Sequence, residues 1–250
     1  MHITGNSILI TGGGSGIGRA LAEALHARGN QVIITGRREG PLADTAAANP
    51  GMTYATLDVA DPAAIRAFAA RAVKDHPALN VLINNAGIMK VEDLLADPFD
   101  LDTVEETIAT NLLGPIRLTA ALLPHLRTRA AATVMTVSSG LAFIPLAATP
   151  TYSATKAAIH SWSESLRHQL AGTSVEVLEL APPGVATDLM PGHADNPASM
   201  PLADYTAEVI GLIERKDTPR GEILVERVKP LRFAEANDYP AVFAMLNGPH

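Results

Sequence analysis

Tyr152 and Lys156 stand four residues apart in the run YSATK. On a helix that spacing puts both side chains on one face. A tyrosine phenol titrates near 10, and a neighbouring ammonium favours its phenolate. At ~4 Å and an effective dielectric of about 20, the attraction is roughly 4 kcal/mol, enough to bring the phenol near neutral pH. A general acid or base works best there. Two residues sharing a helix surface without consequence is the alternative, so the pair needs company. Ser139 lies 13 residues upstream, just past a β-branched run, with Ser138 as its competitor. A hydroxyl at a strand end can hold a substrate oxygen while a phenol moves the proton. Otherwise such a serine bonds to nearby backbone.

Residues 11–18 read TGGGSGIG, between a strand-like and a helix-like run. Glycines there allow a tight turn and let the backbone approach a pyrophosphate, whose charge the exposed N–H groups and the helix dipole favour. Gly12, Gly14, Ser15, Gly16, Ile17 and Gly18 are therefore candidate dinucleotide contacts. A lone glycine turn is a weak signal. Here a second strand-like run starts 13 residues beyond Gly18, which supplies the context. The spacing is G-x-x-x-G-x-G rather than G-x-G-x-x-G.

The elements that must position these residues alternate in type. Runs at 7–11 (SILIT), 31–35 (QVIIT), 81–84 (VLIN), 133–138 (TVMTVS), 175–180 (VEVLEL) and 222–228 (EILVERV) read as strands, with a weaker one at 53–59 (TYATLDV). Residues 17–28, 41–48, 62–74, 102–127, 152–170 and 202–215 read as helices. Most strand runs are apolar throughout, which suits strands covered on both faces. The alternation predicts βαβ units and a doubly wound parallel α/β sheet of about seven strands with helices on both faces. Such sheets bind ligands beyond the carboxyl ends of their strands. Residues 188–201 (DLMPGHADNPASMP), with three prolines, follow a strand on that side. Long loops in compact domains are often functional, so 188–215 is the expected substrate-binding loop and helix.

The 250 residues carry 19 basic and 26 acidic side chains, a net charge of −7, with 47% hydrophobic and 18% charged residues. This supports one sizeable core, and residues 1–250 read as a single dinucleotide-binding domain with catalysis built in. A basic footprint for nucleic acid is missing, so none is expected as partner. With no cysteine, disulfides, thiolate zinc sites and a cysteine nucleophile are excluded. A reducing, cytoplasmic setting is expected. No 18-residue apolar run suggests a membrane span. The eight histidines lack H-x-x-x-H and H-E-x-x-H spacing, so they read as surface or packing residues and no metal is expected. No G-x-S-x-G surrounds Ser139, which argues against a hydrolytic nucleophile.

In order and spacing, these residues resemble the short-chain dehydrogenase/reductase family. Its TGxxxGxG turn is matched by Thr11, Gly12, Gly16 and Gly18, and its NNAG by residues 84–87. Asn111, Ser139, the Y-x-x-x-K of Tyr152 and Lys156, and Pro183, Gly184 and Thr187 follow in order. The match covers roughly residues 5–190. It implies a Rossmann-like fold and hydride transfer between a nicotinamide and a ketone, aldehyde or secondary alcohol, with Tyr152 as general acid/base. It selects Ser139 over Ser138. It implies cofactor contacts from Asp58, Val59, Asn84, Ala86, Gly87, Tyr152, Lys156, Pro182, Gly184, Val185 and Thr187. Asp58 would meet the adenine, though it also reads as a helix cap, and Thr187 the nicotinamide carboxamide. Pro115 has no N–H, so the carbonyl of Asn111 loses its helical partner. The resemblance implies a water there, relaying protons to Lys156; a simple proline kink is the alternative. Homodimers or homotetramers through helices 102–127 and 152–170 are implied as well.

The second strand-like run ends in Thr35, Gly36, Arg37 and Arg38. A site for NAD usually offers an acid here to the ribose 2′-hydroxyl. This chain offers none before Glu39, and a guanidinium fork suits a 2′-phosphate. NADP is the expected cofactor, NAD the alternative. After residue 190 the match thins. Residues 232–246 look helical, with Phe233, Phe243 and Leu246 as packing or subunit contacts. Leu141, Phe143, Ile144, Leu146, Leu189 and Met190 would make an apolar substrate pocket. Two other classes stay open: a cofactor-sensing protein without turnover, and an isomerase or lyase on the same fold. Intact Ser139, Tyr152 and Lys156 argue against the first, and a product assay separates the second.

Overall fold

The computed structural model describes residues 1–248. Strands form where β-branched residues cluster: β1 Ser7–Thr11, β2 Gln31–Gly36, β3 Thr53–Thr56, β4 Leu79–Asn84, β5 Ala132–Val137, β6 Val175–Leu180 and β7 Glu222–Ile223. Helices α1 Gly16–His26, α2 Glu39–Ala48, α3 Pro62–Asp75, α4 Leu101–Ile108, α5 Gly114–Leu126, α6 Pro150–Gln169 and α7 Leu202–Arg215 carry the chain between them. The strands pair in parallel in the order β3-β2-β1-β4-β5-β6-β7. The expected Rossmann-like sheet is what forms. Its order reverses at β1 and β4, the switch point where open α/β sheets bind ligands.

Both faces of the sheet are apolar because both are covered. Ile8 and Ile10 of β1 pack with Leu21, Leu25, Val209 and Ile213 of α1 and α7. Leu9 turns the other way, to Ile65, Phe68, Leu118 and Leu122 of α3 and α5. Each such side chain stabilises the fold by about 1.5–3 kcal/mol when buried.

Three elements depart from the sequence expectation. Helix 102–127 is interrupted: π-helical Ala109–Leu113 separates α4 from α5. The N–H of Gly114 bonds to the carbonyl of Ala109, five residues back. Pro115 has no N–H to give Asn111, so the ladder shifts just ahead of it. Strand 222–228 pairs only at Glu222 and Ile223. Its neighbour β6 runs into Pro182 and Pro183, which cannot extend the ladder. The helical tail breaks into α8 Lys229–Arg232, the 3-10 turn Ala234–Ala236 and α9 Tyr239–Asn247. Asn237 leaves helical geometry at φ −115 and ψ −91, and Asp238 caps the new helix by accepting from the Ala241 N–H.

The loop at 188–201 closes on its own start. The Ala186 N–H bonds to the Met200 carbonyl at 2.9 Å, and the Met200 N–H to the Gly184 carbonyl at 2.8 Å. It then feeds α7. Among the described residues no helix is long and apolar enough to cross a membrane.

Candidate active site

β1 ends at Thr11, whose hydroxyl accepts from the N–H groups of Asn85 and Ala86, both at 3.0 Å. Asn85 Nδ2 donates to the Thr11 carbonyl at 2.9 Å. The glycine turn is thereby fixed to the turn after β4. Gly12 and Gly16 adopt φ +70 and +51, which glycine does without steric cost. A Cβ on Gly18 would lie 2.3 Å from the Gly12 carbonyl oxygen, and one on Gly13 2.5 Å from Ile34 Cγ2. Gly13, which sequence reasoning passed over, is thus needed for the turn to lie against β2. Ile17 and Gly18 fall in the first turn of α1, where N–H groups lack an acceptor inside the helix. The Ser15 side chain makes no capping bond to them. This cradle has the donor chemistry for a pyrophosphate.

A cleft continues from it. Its lining takes Gly12, Gly14 and Ser15 from the glycine turn, and Arg37 and Arg38 from the end of β2. Asp58 and Val59 join from beyond β3, Ala86 and Gly87 from beyond β4. Thr35 and Thr110, missed in the sequence, also line it. Their buried hydroxyls have no partner among the described residues, so they suit a polar ligand. These features fit a dinucleotide. Arg37 bonds to Glu106 of α4 at 3.1 Å, and Lys90 meets the same carboxylate at 2.7 Å. Lys90 first, and then Arg37, hold the Glu106 carboxyl below its usual range. Asp58 accepts from the Ala60 N–H at 2.9 Å, while Asp61 caps α3.

The residues expected to carry proton chemistry gather at the end of β5. Ser138 bonds into the sheet, its N–H reaching the Leu180 carbonyl at 2.9 Å. Ser139 stands past the strand end and accepts from the Leu141 N–H at 3.1 Å. Tyr152 and Lys156, both buried, sit one turn apart on α6, with Lys156 Nζ 5.4 Å from the Tyr152 ring centre. That ammonium donates to the Val137 carbonyl at 2.7 Å. The expectation of a near-neutral Tyr152 is therefore corrected. Burial pushes its phenol up to about 12, with the Ser139 hydroxyl pulling partway back. Burial also takes Lys156 down to about 8, against the pull of Glu179. An ammonium held by a backbone carbonyl does less for a phenolate than one placed directly on it.

Asn111, in the π-helical segment, exchanges two bonds with the Ile88 backbone. Its Oδ1 accepts from the N–H at 2.9 Å, and its Nδ2 donates to the carbonyl at 2.8 Å. A Cβ on Gly87 would lie 3.3 Å from Asn111 Oδ1 and 3.8 Å from Lys156 Nζ. Gly87 therefore lines the cleft beside the corner of Asn111 and Lys156. Asn84 is buried and braces α5 through Thr119 at 2.9 Å. Thr187 lies beside the glycine turn, its methyl 3.4 Å from where a Gly16 Cβ would stand. Gly184 is exposed and neighbours His193. Pro182 and Val185 are buried in the framework: the Pro182 carbonyl accepts from the Gly140 N–H at 2.8 Å, and Val185 packs in the core.

Sequence reasoning missed one charged cluster. His160 Nδ1 of α6 meets both Glu179 oxygens, at 2.9 and 3.1 Å, and this bond raises the histidine pKa. Arg232 meets both Glu222 oxygens, at 2.8 and 3.0 Å. Both glutamates are buried. Ligating atoms of His160, Glu179 and Glu222 lie within 4.8 Å of one another, with Arg232 supplying the compensating charge. The members come from four separate elements, so no spacing in the sequence announces them.

The model of the short chain dehydrogenase family matches residues 6–197. The uncharacterized oxidoreductase DltE of Bacillus subtilis (strain 168) is 43% identical over 252 residues, covering 99% of this chain and 98% of that protein. The 3-oxoacyl-(acyl-carrier-protein) reductase FabG of Salmonella typhimurium is 32% identical over 215 residues, 84% of this chain and 86% of FabG. A short chain dehydrogenase from Burkholderia cenocepacia J2315, solved in complex with NADP, aligns over 100% of both chains with a TM-score of 0.84 and 25% identity. A family match over most of the length, a full-length relative and a shared fold lead to one conclusion: the chain belongs to the short-chain dehydrogenases, a family of oxidoreductases.

Proposed function

We propose that the protein is an NADP(H)-preferring carbonyl reductase or alcohol dehydrogenase, with NAD(H) as the weaker cofactor. It acts on a ketone, an aldehyde or the corresponding alcohol. The observation that carries this reading is the meeting of two groups of residues at Gly87, which lines the cleft and faces Asn111 and Lys156 so closely that a Cβ there would lie 3.3 Å from Asn111 Oδ1 and 3.8 Å from Lys156 Nζ. The solved relative in complex with NADP supports the cofactor class, and FabG, a reductase by name, supports the reaction type.

When bound, the nicotinamide supplies or takes up the hydride. The chain manages charge, pose and proton. The glycine turn and the start of α1 hold the pyrophosphate, and Arg37 and Arg38 hold the 2′-phosphate. Ser139 donates to the substrate oxygen. Tyr152 gives that oxygen its phenolic proton as the carbonyl becomes a hydroxyl, and takes it back in the reverse direction. A phenol raised to about 12 is protonated at neutral pH, so it holds the proton to give in reduction, as a weaker acid than a phenol tuned near neutrality. Lys156, poised near 8, is the nearby group that restores the proton.

The assembly belonging to this reading is a homodimer or homotetramer on the α4–α6 face. A largely apolar hollow of about 560 Å³, lined by Phe99, Leu101, Ile108, Leu112 and Ala158, lies there. A cytoplasmic location completes it, supported by the absence of cysteine.

Cofactor consumption across ketones, aldehydes and their alcohols tests the activity. We expect NADPH oxidation with apolar ketones or aldehydes and a matching alcohol product. No redox product in either direction overturns the reading, and an isomerised product at constant cofactor assigns the fold to a lyase or isomerase. Replacing Arg37 and Arg38 by serine removes two charge-assisted partners, each worth about 1.5–3 kcal/mol. The double variant should bind NADPH about 10²- to 10⁴-fold more weakly by titration, with NADH nearly unchanged. Equal losses for both cofactors would sink the NADP preference.

A further inference from the structure

The loop from Ser139 to α6 joins two of the proposed catalytic residues, so its backbone sets their relative placement. The C-terminal segment holds that loop at three points. At the near end, a Cβ on Gly140 would lie 2.6 Å from Leu231 Cδ1 and 3.0 Å from Val228 Cγ2. The tail therefore rests directly on the loop backbone. In the middle, the Arg232 guanidinium lies 4.6 Å from the Phe143 ring centre. The edge of that ring interaction is closed by His160, centroid to centroid 4.8 Å at 75°. At the far end, Asn247 Oδ1 accepts from the Ala147 N–H at 2.6 Å and Nδ2 donates to the Pro145 carbonyl at 3.1 Å.

Arg232 is itself fixed. Its two bonds to buried Glu222 tie the tail to β7 at the sheet edge. A bidentate guanidinium–carboxylate pair sets orientation as well as energy. Cation–π contact to Phe143 then passes that orientation to the loop.

We propose that residues 228–247 form a clamp on the loop after Ser139, with Arg232 and Asn247 as positioning residues that set the Ser139–Tyr152 geometry and the substrate wall. The proposal rests on the reductase reading above, and its test separates the two. Arg232→Met removes the guanidinium and keeps an apolar stem. Because it leaves Glu222 buried without its partner, Arg232→Met/Glu222→Gln is made alongside. Asn247→Ala removes only the far pin.

Hydrogen–deuterium exchange of the amides at 141–147 reads the clamp without any need for turnover. We expect exchange there about tenfold faster or more in all three variants, with β1 and β4 amides unchanged. In steady-state assays, KM for a bulky apolar ketone should rise and its advantage over a small ketone should fall about tenfold, while the NADPH dissociation constant stays at the parent value. Unchanged exchange at 141–147 in Asn247→Ala and the double variant overturns the clamp. So does a loss of NADPH binding in step with ketone turnover, because that marks general loosening. If the parent turns over no carbonyl compound, the reductase reading falls while exchange still reports on the clamp.

Discussion

Tyr152→Phe should lower kcat/KM for any carbonyl substrate by about 10²- to 10⁴-fold, the usual contribution of a positioned general acid. The substitution removes one oxygen from a side chain that is 6% exposed. Its shape stays, so NADPH binding and thermal stability should stay near the parent values. Burial is the main cause holding the phenol near 12, and a buried hydroxyl is costly to desolvate. Loss of turnover with an intact fold would isolate the proton step. The decisive comparison is single-turnover NADPH oxidation with a ketone that the parent reduces. Parent-like rates in the variant would remove Tyr152 from the mechanism. The pH profile carries a second sign: with a phenol near 12, reduction should lose no rate between pH 6 and 8 through ionisation of Tyr152.

Lys156→Met should separate stability from activity in opposite directions. Lys156 is 4% exposed, and burial takes its pKa from 10.5 to about 8. At pH 7 the folded parent holds an ammonium in a site that disfavours it. Methionine fills similar volume without charge, so the variant should be more stable at pH 7 by about 1–3 kcal/mol. Between pH 8 and 10.5 the folded parent has released this proton while the unfolded chain still binds it, so parent stability rises with pH in that window. The variant has no such rise, and the gap between the two should close there. Tyr152 acts the other way, taking stability away above pH 10, but it does so in both proteins and cancels. Denaturant unfolding at pH 7, 9 and 10 measures this. A variant less stable than the parent at pH 7 would show that the Val137 bond outweighs desolvation. Activity should fall at least about 100-fold, since the proton supply and a positive charge beside the phenol both vanish.

Much of the architecture was legible because burial on both faces leaves unbroken apolar runs. β1 and β6 match their sequence boundaries, as does α7. The glycine turn was legible because positive φ at Gly12 and Gly16 is open to glycine at no steric cost, so clustered glycines between a strand and a helix mark such a turn. What escaped depends on tertiary neighbours. Pro115 signalled a local disturbance but not a shift from α to π geometry over five residues. Strand 222–228 has the right composition, yet its length is limited by the prolines that follow β6. The pKa of Tyr152 was misjudged because burial, which only the folded chain imposes, pushes the phenol up to about 12, while the Lys156 ammonium donates to the Val137 carbonyl, a backbone group with no sequence signature. Gly13 looked redundant until Ile34 was seen to fill the space where its Cβ would stand.

The pairing of Arg37 with Glu106 carries a consequence for ionic strength. The two side chains are half-exposed, at 51% and 36%, and such pairs weaken as salt shortens the screening length to about 8 Å near physiological concentration. On the NADP reading, the phosphate must displace Glu106 from Arg37. Added salt weakens both the bond to be broken and the bond to be made. Binding of the phosphorylated cofactor should then vary less steeply with salt than two unpaired arginines would dictate. On that reading Glu106 would work as a buffer, holding the electrostatic part of cofactor affinity steadier across changes in the surrounding electrolyte.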